Sequence, residues 1–128
     1  MGMDAYMFAA HSKKEIMADD FWKNINLVPH NEDGEIDINK WSRCGELWYA
    51  RKFWDLHDYI NHELLRGEYG CGDYVEITQK DLAKIINFCC FNRDYWDSFD
   101  TVPTLCEIYA HWEELEEHGL KVFYECDW

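Results

Sequence analysis

The longest continuous apolar stripe in this 128-residue chain lies within residues 46–65, and it constrains the fold more than any other feature. Tyr49, Phe53, Leu56, Ile60 and Leu64 are spaced four, three, four and four, which is one face of an α-helix. Trp48, Trp54, His57 and Tyr59 widen that face. The spacing therefore predicts a helix over 46–65 packed on more than one side, with the His57 ring turned inward and hydrogen-bonded in the core. Gly67, Gly70 and Gly72 then break it.

Other elements arrange themselves around that helix. Residues 3–9, MDAYMFA, read as a strand. Ser12 and Glu15 form a capping box that opens a helix with apolar positions at Met17, Phe21 and Ile25. Val28–Lys40 carries Pro29, Asn31, Asp33 and Gly34 and reads as a long loop, with Ile36 and Ile38 able to form a small β-bridge. YVEI, residues 74–77, is a β-type run. Thr78 and Asp81 cap the next helix, whose stripe is Leu82, Ile85, Ile86, Cys89 and Cys90. After the turn-rich FNRDYWDSFD, Thr104 and Glu107 predict another cap. The last helix carries Leu105, Ile108, Tyr109, Trp112 and Leu115 and stops at Gly119, and LKVFYECDW closes the chain as a strand. The expected architecture is one α+β domain over 1–128: a small, mostly antiparallel three-stranded sheet with about four helices on one side.

Charge narrows the class of partner. Against 26 acids stand 12 bases, a formal net charge of −14, which disfavours direct binding to nucleic acid or an anionic membrane because phosphate contacts need Lys and Arg. No run of 18 apolar residues exists, so no membrane span is expected. The N-terminus has no basic region ahead of an apolar run, which places the chain where its six cysteines stay reduced.

Four segments taken together resemble a family of small bacteriophage proteins: MGMDAYMF, ELWYARKFWDLHDYI, YVEITQKDLAKIINFC and VFYECDW. The family pattern has a Met-Gly-Leu/Met-Asp strand, a central Tyr/Trp-x-Arg-Lys helix reaching a His, here Tyr49 to His57, and an aromatic strand ending in Trp, here Trp128. The chain departs from the pattern at 12–40 and 91–103. The resemblance implies a phage or prophage origin and activity in the host bacterial cytoplasm, and it carries over no catalytic residue.

The motifs for chemistry are weak. Asp58 and His62 are four apart on one helical face, as two metal ligands are, but His57 and His62 are five apart and fit no zincin-type pair. His57, Asp58 and His62 are thus the weak metal candidates, with Cys44 and Cys71 the nearest further ligands in sequence. The adjacent Cys89 and Cys90 lie on an apolar stripe and read as small core residues. The three glycines follow a helix and precede a strand, the wrong order for a phosphate cradle. Asp73 and Glu76 have Thr78 where a paired-carboxylate nuclease needs lysine. No cofactor is expected.

The acids cluster. From Glu107 to Trp128 there are seven acids, Glu107, Glu113, Glu114, Glu116, Glu117, Glu125 and Asp127, against Lys121 alone, a segment charge of −6. Asp94, Asp97 and Asp100 repeat every third residue among Tyr95, Trp96 and Phe99. Lys40–Arg66, by contrast, is +1, with five bases and four acids. The expectation is an acidic, aromatic-rich docking surface made of Asp94, Tyr95, Trp96, Asp97, Phe99, Asp100, Glu107, Glu113, Glu114, Glu116 and Glu117, with Trp112 a further anchor. Such a surface suits a host protein with a basic face, including a nucleic-acid-binding defence or CRISPR effector that would accept carboxylates in place of phosphates. The alternatives are a metal-dependent hydrolase built on His57, Asp58 and His62, and a self-associating structural component of a phage.

Overall fold

The computed structural model describes residues 3–18, 26–27, 32–33, 45–51, 54–64, 72–91 and 98–127. Its centre is the strand β1 (Asp4–Ala10), flanked by two antiparallel neighbours, β3 (Gly45–Arg51) and β5 (Lys121–Asp127). The short β4 (Val75–Ile77) pairs antiparallel with the outer edge of β5, and the two-residue β2 (Asn26–Leu27) runs parallel to β3. The sheet order is β2-β3-β1-β5-β4. The α+β class is as expected, but among the described residues the sheet has five strands rather than three.

The additional long strand comes from the stripe that predicted a helix over 46–65. Gly45–Arg51 is β3, and the helix α2 begins only at Trp54, running Trp54–Asp58 and continuing as a π-helix over Tyr59–Leu64. Trp, Tyr and Leu sit well on a pleated surface, and β1 offers this segment a full ladder of backbone partners that an isolated helical turn cannot match. A bulge between Met7 and Phe8 in the β1–β3 register places Leu47 as an extra residue, so adjacent Leu47 and Trp48 are both buried. The four-residue step from Tyr49 therefore crosses a strand–helix junction. Tyr49 is on the opposite face of the sheet from the core, whereas Leu56 and Ile60 are fully buried in it.

Capping chemistry fares better. The Asp81 N–H donates to Thr78 Oγ1 at 3.1 Å and the Thr78 N–H to Asp81 Oδ2 at 2.9 Å, so α3 (Gln79–Phe91) starts on the expected reciprocal box. Leu82, Ile85 and Cys89 are buried on it, with Ile86 and Cys90 half-buried. The Glu15 N–H donates to Ser12 Oγ at 3.2 Å, but α1 is a single turn, Lys13–Ile16. Met17, expected on its apolar stripe, is 67% exposed, because it follows the end of the helix. Phe21 and Ile25 lie outside the described residues, as do Ile36 and Ile38 and all of Val28–Lys40 except Glu32 and Asp33.

The Thr104–Glu107 cap is not a cap. Helix α4 (Ser98–Ala110) starts six residues earlier and contains Pro103. Proline forfeits one helical hydrogen bond, but Thr101 in the first turns is buried and accepts a hydrogen bond from Trp48 Nε1 at 3.2 Å, a tertiary tie that holds the early turns. The expected single last helix is divided at His111, where α5 (Trp112–Glu117) begins. It closes as the sequence predicts. Gly119 has φ +73°, its N–H donates to the Glu116 carbonyl, and the Leu120 N–H reaches back to the Leu115 carbonyl, both at 2.9 Å. Gly72, at φ +80°, turns the chain before β4 and donates to the Cys126 carbonyl at 2.9 Å, while Gly67 and Gly70 lie outside the described residues.

Helices α2 to α5 cover one face of the sheet, meeting Met3, Ala5, Met7, Ala9, Trp48, Val122, Tyr124 and Cys126. On this side His57 is buried, and its Nδ1 lies 3.1 Å from the Tyr124 hydroxyl, as the sequence predicts of an inward histidine. The opposite face is covered only at one end among the described residues, where Ile16 of α1 packs with Phe8, Ala10 and Phe123.

Candidate functional site

Two surfaces carry the polar chemistry, and the first is the acidic helix. On α5, Trp112 and Leu115 are buried while Glu113, Glu114, Glu116 and Glu117 are exposed. Burying two of six positions leaves every remaining place on the helix to a carboxylate. Glu113 and Glu114 also sit in the first turn, where the helix dipole favours negative charge. Glu116 Oε1 accepts from the Trp112 indole N–H at 3.1 Å, and Glu114 Oε2 lies 2.7 Å from His111 Nδ1. Trp112, expected as a possible anchor, is only 7% exposed and belongs to the core. Glu107 is half-buried on α4. Phe99 and Asp100 fall in the first turn of α4, and their side chains are not among those described; Asp94, Tyr95, Trp96 and Asp97 lie outside the described residues.

The metal candidates do not come together. His57 faces the core, where burial lowers its pKa from the ordinary imidazole value. Asp58 and His62 are exposed beside a shallow depression with Asp55, Tyr59, Glu63 and Phe88. Among the described residues no group of three His, Cys, Asp or Glu side chains is placed to hold a metal ion. Cys44 and Cys71 lie outside them. Cys89 is buried, which pushes its thiol up to about 12, as befits an unreactive core residue. Glu76 faces Lys121 at 3.6 Å across the β4–β5 edge.

The second surface is the face of the sheet opposite the helices, which reading the sequence did not single out. Strand alternation puts Asp4, Tyr6 and Phe8 of β1 beside Asp127, Glu125 and Phe123 of β5, residue for residue. Across β1 on the other side, Arg51 is paired with Asp4 and Tyr49 with Tyr6. The face thus grades along the strands from a phenylalanine row, through a row of Tyr49, Tyr6 and Glu125, to a charged row of Arg51, Asp4 and Asp127.

Aromatic contacts tie the rows together. The Tyr6 ring stacks on Phe8 at 5.4 Å and meets Tyr49 at 5.0 Å, and Tyr74, just before β4, meets Phe8 at 6.4 Å. The Tyr49 hydroxyl donates to Asp4 Oδ1 at 2.7 Å, and that bond and its charge push the phenol up to about 12. Arg51 Nε lies 4.0 Å from the same carboxylate.

Glu125 is the unusual group. Its residue is only 6% exposed, and among the described residues the charged neighbours that act on it, Asp127 and Asp4, are both acids. Burial first, then those two carboxylates, push its pKa up to about 7. The signal available in the sequence was the alternation Asp4-x-Tyr6-x-Phe8 and Phe123-x-Glu125-x-Asp127, which marks one face of two strands but not which strands adjoin.

No helix among the described residues is long and apolar enough to cross a membrane. In comparisons with known proteins, no family model matches the chain, and neither the curated proteins nor the solved structures contain a match.

Proposed function

We propose that this protein is a small phage-type accessory protein that binds and inhibits a host protein with a basic surface, its carboxylates standing in for the phosphates of a nucleic acid. The observation that carries the reading is α5, on which Glu113, Glu114, Glu116 and Glu117 are all exposed around a buried Trp112–Leu115 seam. At 1.5 Å of rise per residue those four charges span about 6 Å, a linear density close to the one charge per about 1.7 Å of duplex DNA. The overall −14 adds long-range attraction for a basic groove. Suitable partners are nucleic-acid-binding proteins, defence nucleases and CRISPR effectors among them, and the site of action is the host cytoplasm.

The test is capture of partners from bacterial lysate by tagged protein at about 50 mM and about 300 mM salt, since exposed charge pairs are screened over this range. Capture of a basic protein that falls at least about tenfold at the higher salt, and again in the Glu113→Gln/Glu114→Gln/Glu117→Gln variant, supports the reading. Glu116 is retained in that variant because it holds the Trp112 indole. Capture that is insensitive to both salt and substitution overturns it.

A further inference from the structure

Where β4 and the start of β5 meet α5, the fold leaves a partly open pocket of about 320 Å³, and every residue that lines it is among those described. Its inner surface is apolar, for Ile77, Trp112 and Leu120 are each almost wholly buried. Its rim is charged, with exposed Glu76, Glu116 and Lys121. The volume is at the lower end for pockets that hold small ligands, and it is ample for one long side chain. The turn after α5 builds this arrangement: the Leu120 N–H returns to the Leu115 carbonyl, which brings Glu116 at the end of the helix and Lys121 at the start of β5 to one opening.

Glu116 is oriented by its own helix. Its Oε1 accepts from the Trp112 indole N–H at 3.1 Å, one turn back. That bond uses one of about four acceptor positions on the carboxylate, so the charge is fixed beside the apolar surface and can take further donors. Lys121 Nζ lies 3.6 Å from Glu76 Oε1, and with two carboxylates against one ammonium the lining is net negative.

We infer that this pocket receives an arginine side chain of the basic partner, its guanidinium bonded to Glu116 and its aliphatic stem laid against Trp112, Leu120 and Ile77. The inference rests on the proposed function, whose partner presents the arginine, and it gives a contact to the one glutamate of α5 that is tied to the core. A guanidinium is planar and weakly hydrated, donates two parallel hydrogen bonds to a carboxylate, and carries a stem that covers apolar surface. An ammonium is compact and strongly hydrated, so it loses more by leaving water beside a tryptophan. An anion meets Glu76 and Glu116, and the exposed Glu113, Glu114 and Glu117 of the same helix add repulsion for it and attraction for a cation.

The experiment is a two-dimensional NMR titration of the full chain at constant ionic strength with N-acetyl-arginine-N-methylamide and, in parallel, its neutral isostere N-acetyl-citrulline-N-methylamide. The arginine probe is expected to shift the Trp112 indole N–H and the Leu120 and Lys121 amides saturably, with a dissociation constant of ~1–10 mM, as befits one side chain of a larger epitope. The citrulline probe should leave those resonances in place. Glu116→Gln keeps an oxygen for the indole but loses the charge, and should weaken arginine binding at least about fivefold. Lys121→Gln removes the cation from the rim and should strengthen it about twofold, which keeps the test open if Glu116→Gln does not fold. The Glu113→Gln/Glu114→Gln/Glu117→Gln variant should stay within about twofold of the parent, since those charges act from outside the pocket. Equal shifts from both probes, no shift at Trp112, or binding unchanged by both the Glu116 and the Lys121 substitutions overturns the assignment. No partner enters this titration, so its failure is distinct from a failure to capture a basic protein from lysate.

Discussion

The two faces of one sheet, built from the same strands, solve opposite problems. Toward the helices, buried polar groups are matched: His57 with the Tyr124 hydroxyl, and the Trp48 indole with Thr101. Toward the opposite side, Glu125 is nearly as buried as His57, and among the described residues the charges that act on it, Asp127 and Asp4, are of its own sign. Tyr124 and Glu125 are consecutive residues of β5, pointing to opposite faces. One strand thus contributes a satisfied core contact and an electrostatically strained one within a single peptide step. The matched face is what folding requires.

If the helix-covered face is the structural one, truncating it should produce the largest effect. Leu82→Ala, at a fully buried position, is expected to cost about 3 kcal/mol in urea unfolding, whereas Tyr49→Ala, at an exposed position on the opposite face, should cost about 1 kcal/mol or less. Equal costs would erase the distinction.

The next effect concerns the sign of pH dependence. Glu125 has its folded pKa raised to about 7, so between the ordinary carboxyl value of about 4.3 and about 7 the folded chain holds a proton that the unfolded chain has lost. Its contribution to stability therefore falls as pH rises through that window and stays low above it. His57 has its folded pKa lowered, so its contribution falls instead as pH drops through about 6.5, where the unfolded chain takes up the proton first. Glu125→Gln should accordingly stabilise the protein by about 2 kcal/mol at pH 8, allowing for partial solvent screening, and by little at pH 4. Paired urea titrations at the two pH values check this, and a destabilised variant at pH 8 would mean that Glu125 is satisfied in the folded protein.

The smallest effect lies outside both faces. Thr78→Ala removes the acceptor for the Asp81 N–H and should cost about 1 kcal/mol by the same unfolding measurement, independent of either surface. It provides a baseline for a purely local contribution.

The capping interactions were legible because they are local. Thr78 and Asp81, or Glu116 and Gly119, are three residues apart, and no distant part of the chain needs to be known for their bonds to form. The buried stripe of α3 belongs to the same class, as does the acidic surface of α5, where Trp112 and Leu115 claim the inner positions and leave the glutamates outside. Residues 45–51 were of the other kind. Their spacing is compatible with a helix, and only pairing with β1, some forty residues away, makes them a strand. Thr104 misled for a related reason, since the start of α4 depends on Thr101 meeting Trp48 across 53 positions.

Sequence alone therefore determined the α+β class, the caps at Ser12, Thr78 and Gly119 and the exposure of the α5 glutamates, all of which follow from composition or from contacts within a few residues. Tertiary structure alone decided that β5 lies between β1 and β4, and thus that Glu125 is enclosed by Tyr6, Tyr74, Asp4 and Asp127. The environment of a side chain on a sheet is set by its cross-strand neighbours, and register between distant strands is a collective choice of the whole core.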